Sequence, residues 1–240
     1  MEKPGKSEST KEITVSTTDP DCGRFHKGEH KAEFAYTTHT ACDKHNFLGA
    51  KVTADNVHDS VVLDEAHDEF EEIEVAAEAG YKTLWICKKI IDDGKEIMTP
   101  YKGPMTQKGF FHSYEFVYDE YYDCVICPNN KVLKYSTTNR DGYKEFKSNS
   151  KDCEKCQYRD KYTNSKNHQK IVAKHIWSDY IDLAEEIRHS ERGKEIYSLR
   201  SQTMERVFAD AKEKHAMRYT FIKSLPSVQN WVRLKFAAMN

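Results

Sequence analysis

Residues 34–60 read FAYTTHTACDKHNFLGAKVTADNVHDS, and their pattern decides what kind of fold the chain adopts. Phe34 to Cys42 (FAYTTHTAC) and Phe47 to Thr53 (FLGAKVT) are dense in β-branched and aromatic residues and predict two strands. Asp43-Lys44-His45-Asn46 between them predicts a hairpin turn. Just downstream, Asp59 or Ser60 offers a helix cap. Val61, Val62, Leu63 and Ala66 would form the inner face of a helix running to about Phe70. Upstream, Glu12 to Thr17 (EITVST) predicts another strand, stopped by Asp19-Pro20-Asp21.

Further along, Glu74 to Ala77 predicts a short buried strand that ends at Glu78-Ala79-Gly80-Tyr81. Lys82 to Ile91 places Leu84, Trp85, Lys88 and Ile91 at helical spacing, and Gly94 ends that helix. The order is strand–strand–strand–helix–strand–helix, which suits an α/β sheet with both antiparallel and parallel pairing. The character changes at Pro100. Residues 100–165 show tyrosine clusters and no helical period. From Asn167 the helical period returns, predicting long amphipathic helices over Ile171 to Arg188 and Lys194 to Lys214. A shorter closing helix is predicted over Ser227 to Met239.

The 240 residues give room for one large domain, or one domain with a substantial insertion. Lys and Arg total 37 against 39 Asp and Glu, a net charge of −2. No global positive field advertises a nucleic-acid partner, so any such site must be local. Apolar runs stop at four residues, as in Leu84 to Cys87, which argues against a membrane-spanning helix. Met1 to Thr10 lacks the apolar core of a signal peptide. These features predict a cytoplasmic protein.

Four of the seven cysteines fall in two Cys-x-x-Cys pairs, Cys124 with Cys127 and Cys153 with Cys156, separated by residues 128–152. Four such sulfurs can complete a tetrahedral, structural zinc site; the alternative is unbound cysteines in a loop region. In the segment Tyr197 to His215, Met204, Val207, Phe208 and Ala211 make an apolar helical stripe with Glu205 beside it. Glu205 is either a site carboxylate or a solvated salt-bridge partner. Glu78 follows a buried strand, where ligands collect in α/β sheets, or else caps the next helix. Lys212, Lys214, His215 and Arg218, with Tyr219 and Phe221, could grip a phosphate backbone and stack on bases, with Lys31, His39 and Lys51 adding charge. A solvated basic face is the alternative.

Taken in order, STTDPDCG (16–23), FAYTTHTACD (34–43), VTADNVHDS (52–60), AEAGYKT (77–83), Cys127-Pro128, the second cysteine pair and YSLRSQTMERVFADAKEKHAMRYT (197–220) form a specific set. That set resembles DDE-type transposases of bacterial insertion sequences, in the branch with a cysteine-bearing insertion before the final acidic helix. The resemblance runs from about residue 12 to 240. It implies a ribonuclease-H-like α/β fold: a mixed sheet with flanking helices, here lacking its first strand, interrupted by a Cys-rich insertion and closed by C-terminal helices. The implied division is a truncated first part of the catalytic core over residues 1–99, a zinc-ribbon-like insertion over 100–166, and the helical remainder of the core over 167–240.

The resemblance also implies a chemistry. In the family two Asp and one Glu hold divalent metal, which suits Mg²⁺, and the metals activate water or a DNA 3′-hydroxyl for attack on a phosphodiester. Tyr197, Arg200, Glu205 and Lys212 occupy the places of the last helix's signature, with Glu205 as metal ligand and Arg200 and Lys212 on DNA phosphates. The interval from Arg200 to Glu205 is one residue longer than in the most familiar version. The implied partner is DNA, both element ends and target, bound by a homodimer associated with the nucleoid and not with a membrane. Two departures predict little or no activity. Glu78 stands where the family has Asp, and its extra methylene exceeds the roughly 0.5 Å of misplacement such sites tolerate. The family's first Asp, on an upstream strand, has no counterpart, and Asp19 is the stand-in candidate. Tyr162 occupies a place where relatives often carry Cys, which leaves Cys124, Cys127, Cys153 and Cys156 as the zinc set. The expectation is an incomplete, degenerate transposase; the alternative is a non-catalytic, zinc-stabilised fragment that binds DNA or protein.

Overall fold

The computed structural model of the chain describes residues 14–27, 31–43, 47–66, 74–103 and 105–240. It is a mixed α/β structure in two compact units, residues 1–72 with 191–240, and residues 73–190. Among the described residues no helix is long and apolar enough to cross a membrane.

The first unit is built on an antiparallel meander of β1 (Gly23–Lys27), β2 (Lys31–Cys42) and β3 (Phe47–Ala54). Helix α1 follows at Asp59–Ala66. Strand alternation puts Ala50 and Val52 on one face of β3, and α7 (Leu225–Ala237) covers that face. Val228, Val232 and Phe236, spaced by four, are the buried stripe of α7, and Phe236 stacks on Phe47 with ring centroids 4.0 Å apart. β3 is an edge strand, which would leave a row of backbone groups unpaired. Side-chain amides take them. Gln229 accepts from Val52 N at 2.7 Å and donates to Ala50 O at 3.0 Å; Asn240 does the same for Phe47 N and O at 2.8 and 3.1 Å. Gly23 is required where β1 begins, because a Cβ there would lie 2.5 Å from the backbone nitrogens of Asp55 and Asn56.

The second unit opens with a parallel pair, β4 (Glu74–Ala76) and β5 (Glu96–Met98), joined by α2 (Leu84–Asp92). Thr83 caps α2 by accepting from Ile86 N, and Ile86, Cys87 and Ile90 are its buried face. A five-stranded antiparallel sheet follows in the order β10-β9-β8-β7-β6: β6 (Val117–Asp119), β7 (Cys124–Ile126), β8 (Val132–Thr138), β9 (Tyr143–Lys147) and β10 (Ile171–His175). Its core is Phe116, Val125, Cys127, Leu133, Phe146, Cys153 and Tyr162. Short α3 (Ser150–Glu154) carries Cys153, and α4 (Ser178–His189) packs near α2, with Tyr180 donating to Asp92 at 2.7 Å.

Three expectations change. Residues 14–17 are not a strand; Ser16 Oγ instead accepts from Asp19 N at 3.2 Å, a local turn that competes with extended pairing, and residues 12 and 13 lie outside the described set. Residues 44–46 of the expected hairpin turn and 67–70 of the first expected helix also lie outside it. Ile171 to Arg188 is not one helix: Ile171–His175 pairs with β9, Val172 opposite Phe146, and the helix begins only at Ser178. Lys194 to Lys214 is helical, but α5 (Glu191–Arg200) and α6 (Arg206–Glu213) are joined by a π turn over Ser201–Glu205.

Candidate functional site

Tyr197 and Arg200 lie near the end of α5, and Arg200 Nη1 donates to the Tyr197 hydroxyl at 3.0 Å, with the guanidinium 5.7 Å from the ring centre. Glu205 is the last residue of the π turn and is exposed. A π turn closes i to i+5 instead of i to i+4, so it absorbs one extra residue. The interval between Arg200 and Glu205 falls on this turn. Met204, the residue before Glu205, meets Cys42 at the end of β2 and fixes the turn against the sheet. Lys212 is exposed on α6, one residue after the buried Ala211.

The basic cluster beyond Lys212 is partly neutralised. Lys214 pairs with Asp210 at 2.8 Å and Arg218 pairs with Glu213. Tyr219 and Phe221 are 71 % and 99 % exposed, available for stacking. His39 contributes no surface charge: it is buried and shares a 2.9 Å hydrogen bond with Thr53. Burial pulls its imidazole below the ordinary value of 6.5, and Asp59, 3.8 Å away, offsets this in part. The side chain of Lys31 lies outside the described set.

Asp19 is structurally committed. Its Oδ2 accepts from the Tyr36 hydroxyl at 2.7 Å and its Oδ1 accepts from Ser224 N at 3.3 Å. Asp21 accepts from Leu225 N at 3.0 Å, so the Asp-Pro-Asp loop sits at the N-terminus of α7 and satisfies its first amides. Burial, then the bond to Asp19, raises the Tyr36 phenol well above its ordinary range, so it remains a neutral donor. Both oxygens of Asp19 carry folding contacts. Nothing local in the chain signals these contacts, because the partners are 17 and 205 residues away.

Glu78 lies in the other unit, exposed after β4 at the head of a 3₁₀ turn over Ala79–Tyr81, and its side chain makes no capping hydrogen bond there. Lys82, two residues beyond the start of that turn's last residue pair, is anchored: its ammonium pairs with Glu185 of α4, which also holds Arg188 at 2.7 Å. This Lys82–Glu185–Arg188 network, missed from sequence, ties the Glu78 loop to α4.

The cysteines divide. Val125 points into the core of the five-stranded sheet, and neighbouring residues of a strand face opposite ways, so Cys124 faces the other side, among Asp119, Tyr122 and Lys134. Cys127, Cys153 and Cys156 line one cavity together with Tyr162. Among the described residues no group of three or more His, Cys, Asp or Glu side chains is gathered to hold a metal ion. Of the expected zinc set, the structure thus brings Cys127, Cys153 and Cys156 to one cavity and places Cys124 apart from them.

Residues 126–240 match the family model for the transposase DDE domain. The matched stretch contains Tyr197, Arg200, Glu205 and Lys212, as well as Cys127, Cys153 and Cys156; it begins beyond Asp19, Glu78 and Cys124. No curated protein and no solved structure matches the chain.

Proposed function

We propose that this protein derives from a DDE transposase of a bacterial insertion sequence and binds DNA, with strand cleavage and transfer weak or lost. The observation that carries this reading is the family match over residues 126–240, which includes the complete Tyr197, Arg200, Glu205, Lys212 series on one helical segment. The order β1-β2-β3-α1-β4-α2-β5, antiparallel strands followed by a parallel pair, supports a ribonuclease-H-like core. In this reading residues 1–99 and 167–240 form the core and residues 100–166 the inserted segment.

DDE transposases generally use a divalent metal. Mg²⁺ would be held by carboxylates, for which Glu205, Glu78 and Asp19 are the candidates here, Asp19 being the weakest because each of its oxygens already accepts a hydrogen bond. Hard, oxygen-rich coordination by fewer carboxylates, one of them a Glu in place of Asp, weakens the metal and misplaces it. DNA contact is less demanding. Arg200 and Lys212 would meet phosphates, and Tyr219 and Phe221 would stack on bases. Binding to element ends and target as a homodimer, in association with the nucleoid, follows from the same reading.

Equilibrium binding to duplex DNA at several salt concentrations tests it. Log affinity should fall linearly with log salt, and Lys212→Ala should weaken binding and lower the slope by about 1. Affinity indifferent to salt would overturn the reading.

A further inference from the structure

Zinc was the expected staple of the cysteine-bearing segment, and the side chains around the cavity at the end of the five-stranded sheet are arranged for something else. Cys127, Cys153 and Cys156 face this cavity, and the fourth place around it belongs to Tyr162, which is 4 % exposed. Tyr162 lines the cavity beside Cys153 and Cys156. Cys153 donates its thiol proton to Ser148 Oγ at 3.1 Å, and Ser148 Oγ in turn accepts from Lys170 N at 2.8 Å. Cys156 accepts from Asn129 Nδ2 at 3.5 Å. Phe111 stacks on the Tyr162 ring, with centroids 6.2 Å apart, and fixes its direction.

Two features of this arrangement oppose zinc. Structural zinc sites are closed by four N or S ligands, and the fourth group here is a phenol. Cys124, the remaining sulfur, faces the opposite side of β7.

We infer that Tyr162 takes the place a fourth sulfur would need around this cavity, and that Cys127, Cys153 and Cys156 persist as a metal-free core held by packing and by the bonds from Cys153 to Ser148 and from Asn129 to Cys156. The segment then holds its fold by packing around Phe146 and Leu133, both essentially fully buried, and not by a metal. The sequence change that would restore a four-sulfur set is a single one, at position 162.

The test is zinc content per chain, by elemental mass spectrometry, on the purified full-length protein expressed in zinc-supplemented medium. The wild type should carry less than about 0.1 zinc per chain, and a strong zinc chelator should leave its thermal midpoint unmoved, because a structural zinc contributes its binding energy directly to folding. Tyr162→Cys should take up about one zinc per chain and lose it again when combined with Cys127→Ser. About one zinc in the wild type, removed by Cys127→Ser or by Cys124→Ser, overturns the inference. A folded Tyr162→Cys variant that binds no zinc overturns the assignment of position 162. If that variant does not fold, the wild-type zinc content and chelator response decide alone.

Discussion

Replacing Gln229 by Leu removes the two hydrogen bonds that close the middle of the β3 edge while keeping a side chain of similar bulk on α7. The amide N–H of Val52 and the carbonyl of Ala50 lose their partners, and Val52 is 3 % exposed, so water does not readily replace them. A net hydrogen bond contributes about 0.5–1.5 kcal/mol, and a buried group left without a partner costs about 1–3 kcal/mol. One buried N–H and one partly buried carbonyl therefore place the loss at about 2–3 kcal/mol. That corresponds to a thermal midpoint lower by roughly 5–10 °C in a chain of this size. Asn240→Ala removes the same pair of bonds from Phe47, but these are exposed, and water substitutes; its cost should stay below about 1 kcal/mol. Thermal unfolding followed by circular dichroism measures both, and hydrogen exchange at the Val52 amide shows whether the loss is local. Equal effects of the two variants, or unchanged protection of Val52 in Gln229→Leu, would refute the claim that burial sets the difference.

Lys82→Met should destabilise the protein by about 3 kcal/mol, because it leaves the partly buried Glu185 with Arg188 and the more distant, exposed His189; adding Glu185→Leu should recover much of the loss, as buried ion pairs replaced by apolar pairs often do. Both are read by denaturant unfolding. Gly23→Ala should cost about 1–3 kcal/mol, because the new methyl meets backbone nitrogens rather than a side chain that can turn away. Stability should also fall as the solution is acidified below about pH 6.5. The folded His39 has a depressed affinity for protons, so the unfolded chain binds more of them there and stability rises with pH through that window. His39→Gln should flatten this part of the stability–pH curve, and an unchanged curve would show that other groups dominate it.

How much of this was legible in sequence depends on how local each cause is. The β2–β3 hairpin, α2 with its Thr83 cap, and the closing helix are written in alternation, capping residues and helical spacing over a few residues. β1 was missed because GRFHK has little apolar content of its own and becomes a strand by pairing with Lys31–Ala35. β5 is three residues long, too short for any period to show. The apolar residues of IVAKHIW in β10 suit a helix as well as a strand, and pairing with β9 decides. At the candidate site, the Tyr197-to-Lys212 series is proposed from its order in the sequence, while the π turn between Arg200 and Arg206 is visible only in the backbone. The commitment of Asp19 to the start of α7 depends on contacts far along the chain. The division of the cysteines is a strand-alternation effect, and reading Cys124–Ile126 as a strand would have revealed it.

The proposed function is that of a transposase-derived DNA-binding protein with an incomplete carboxylate set. The most direct measurement incubates the purified chain with labelled DNA from both flanks of its own gene, in Mg²⁺ and separately in Mn²⁺, and resolves the products on a denaturing gel. The account predicts retained, salt-sensitive binding and no cleavage or joining above that of Glu205→Gln. Products that appear with the wild type and vanish with Glu205→Gln would contradict it.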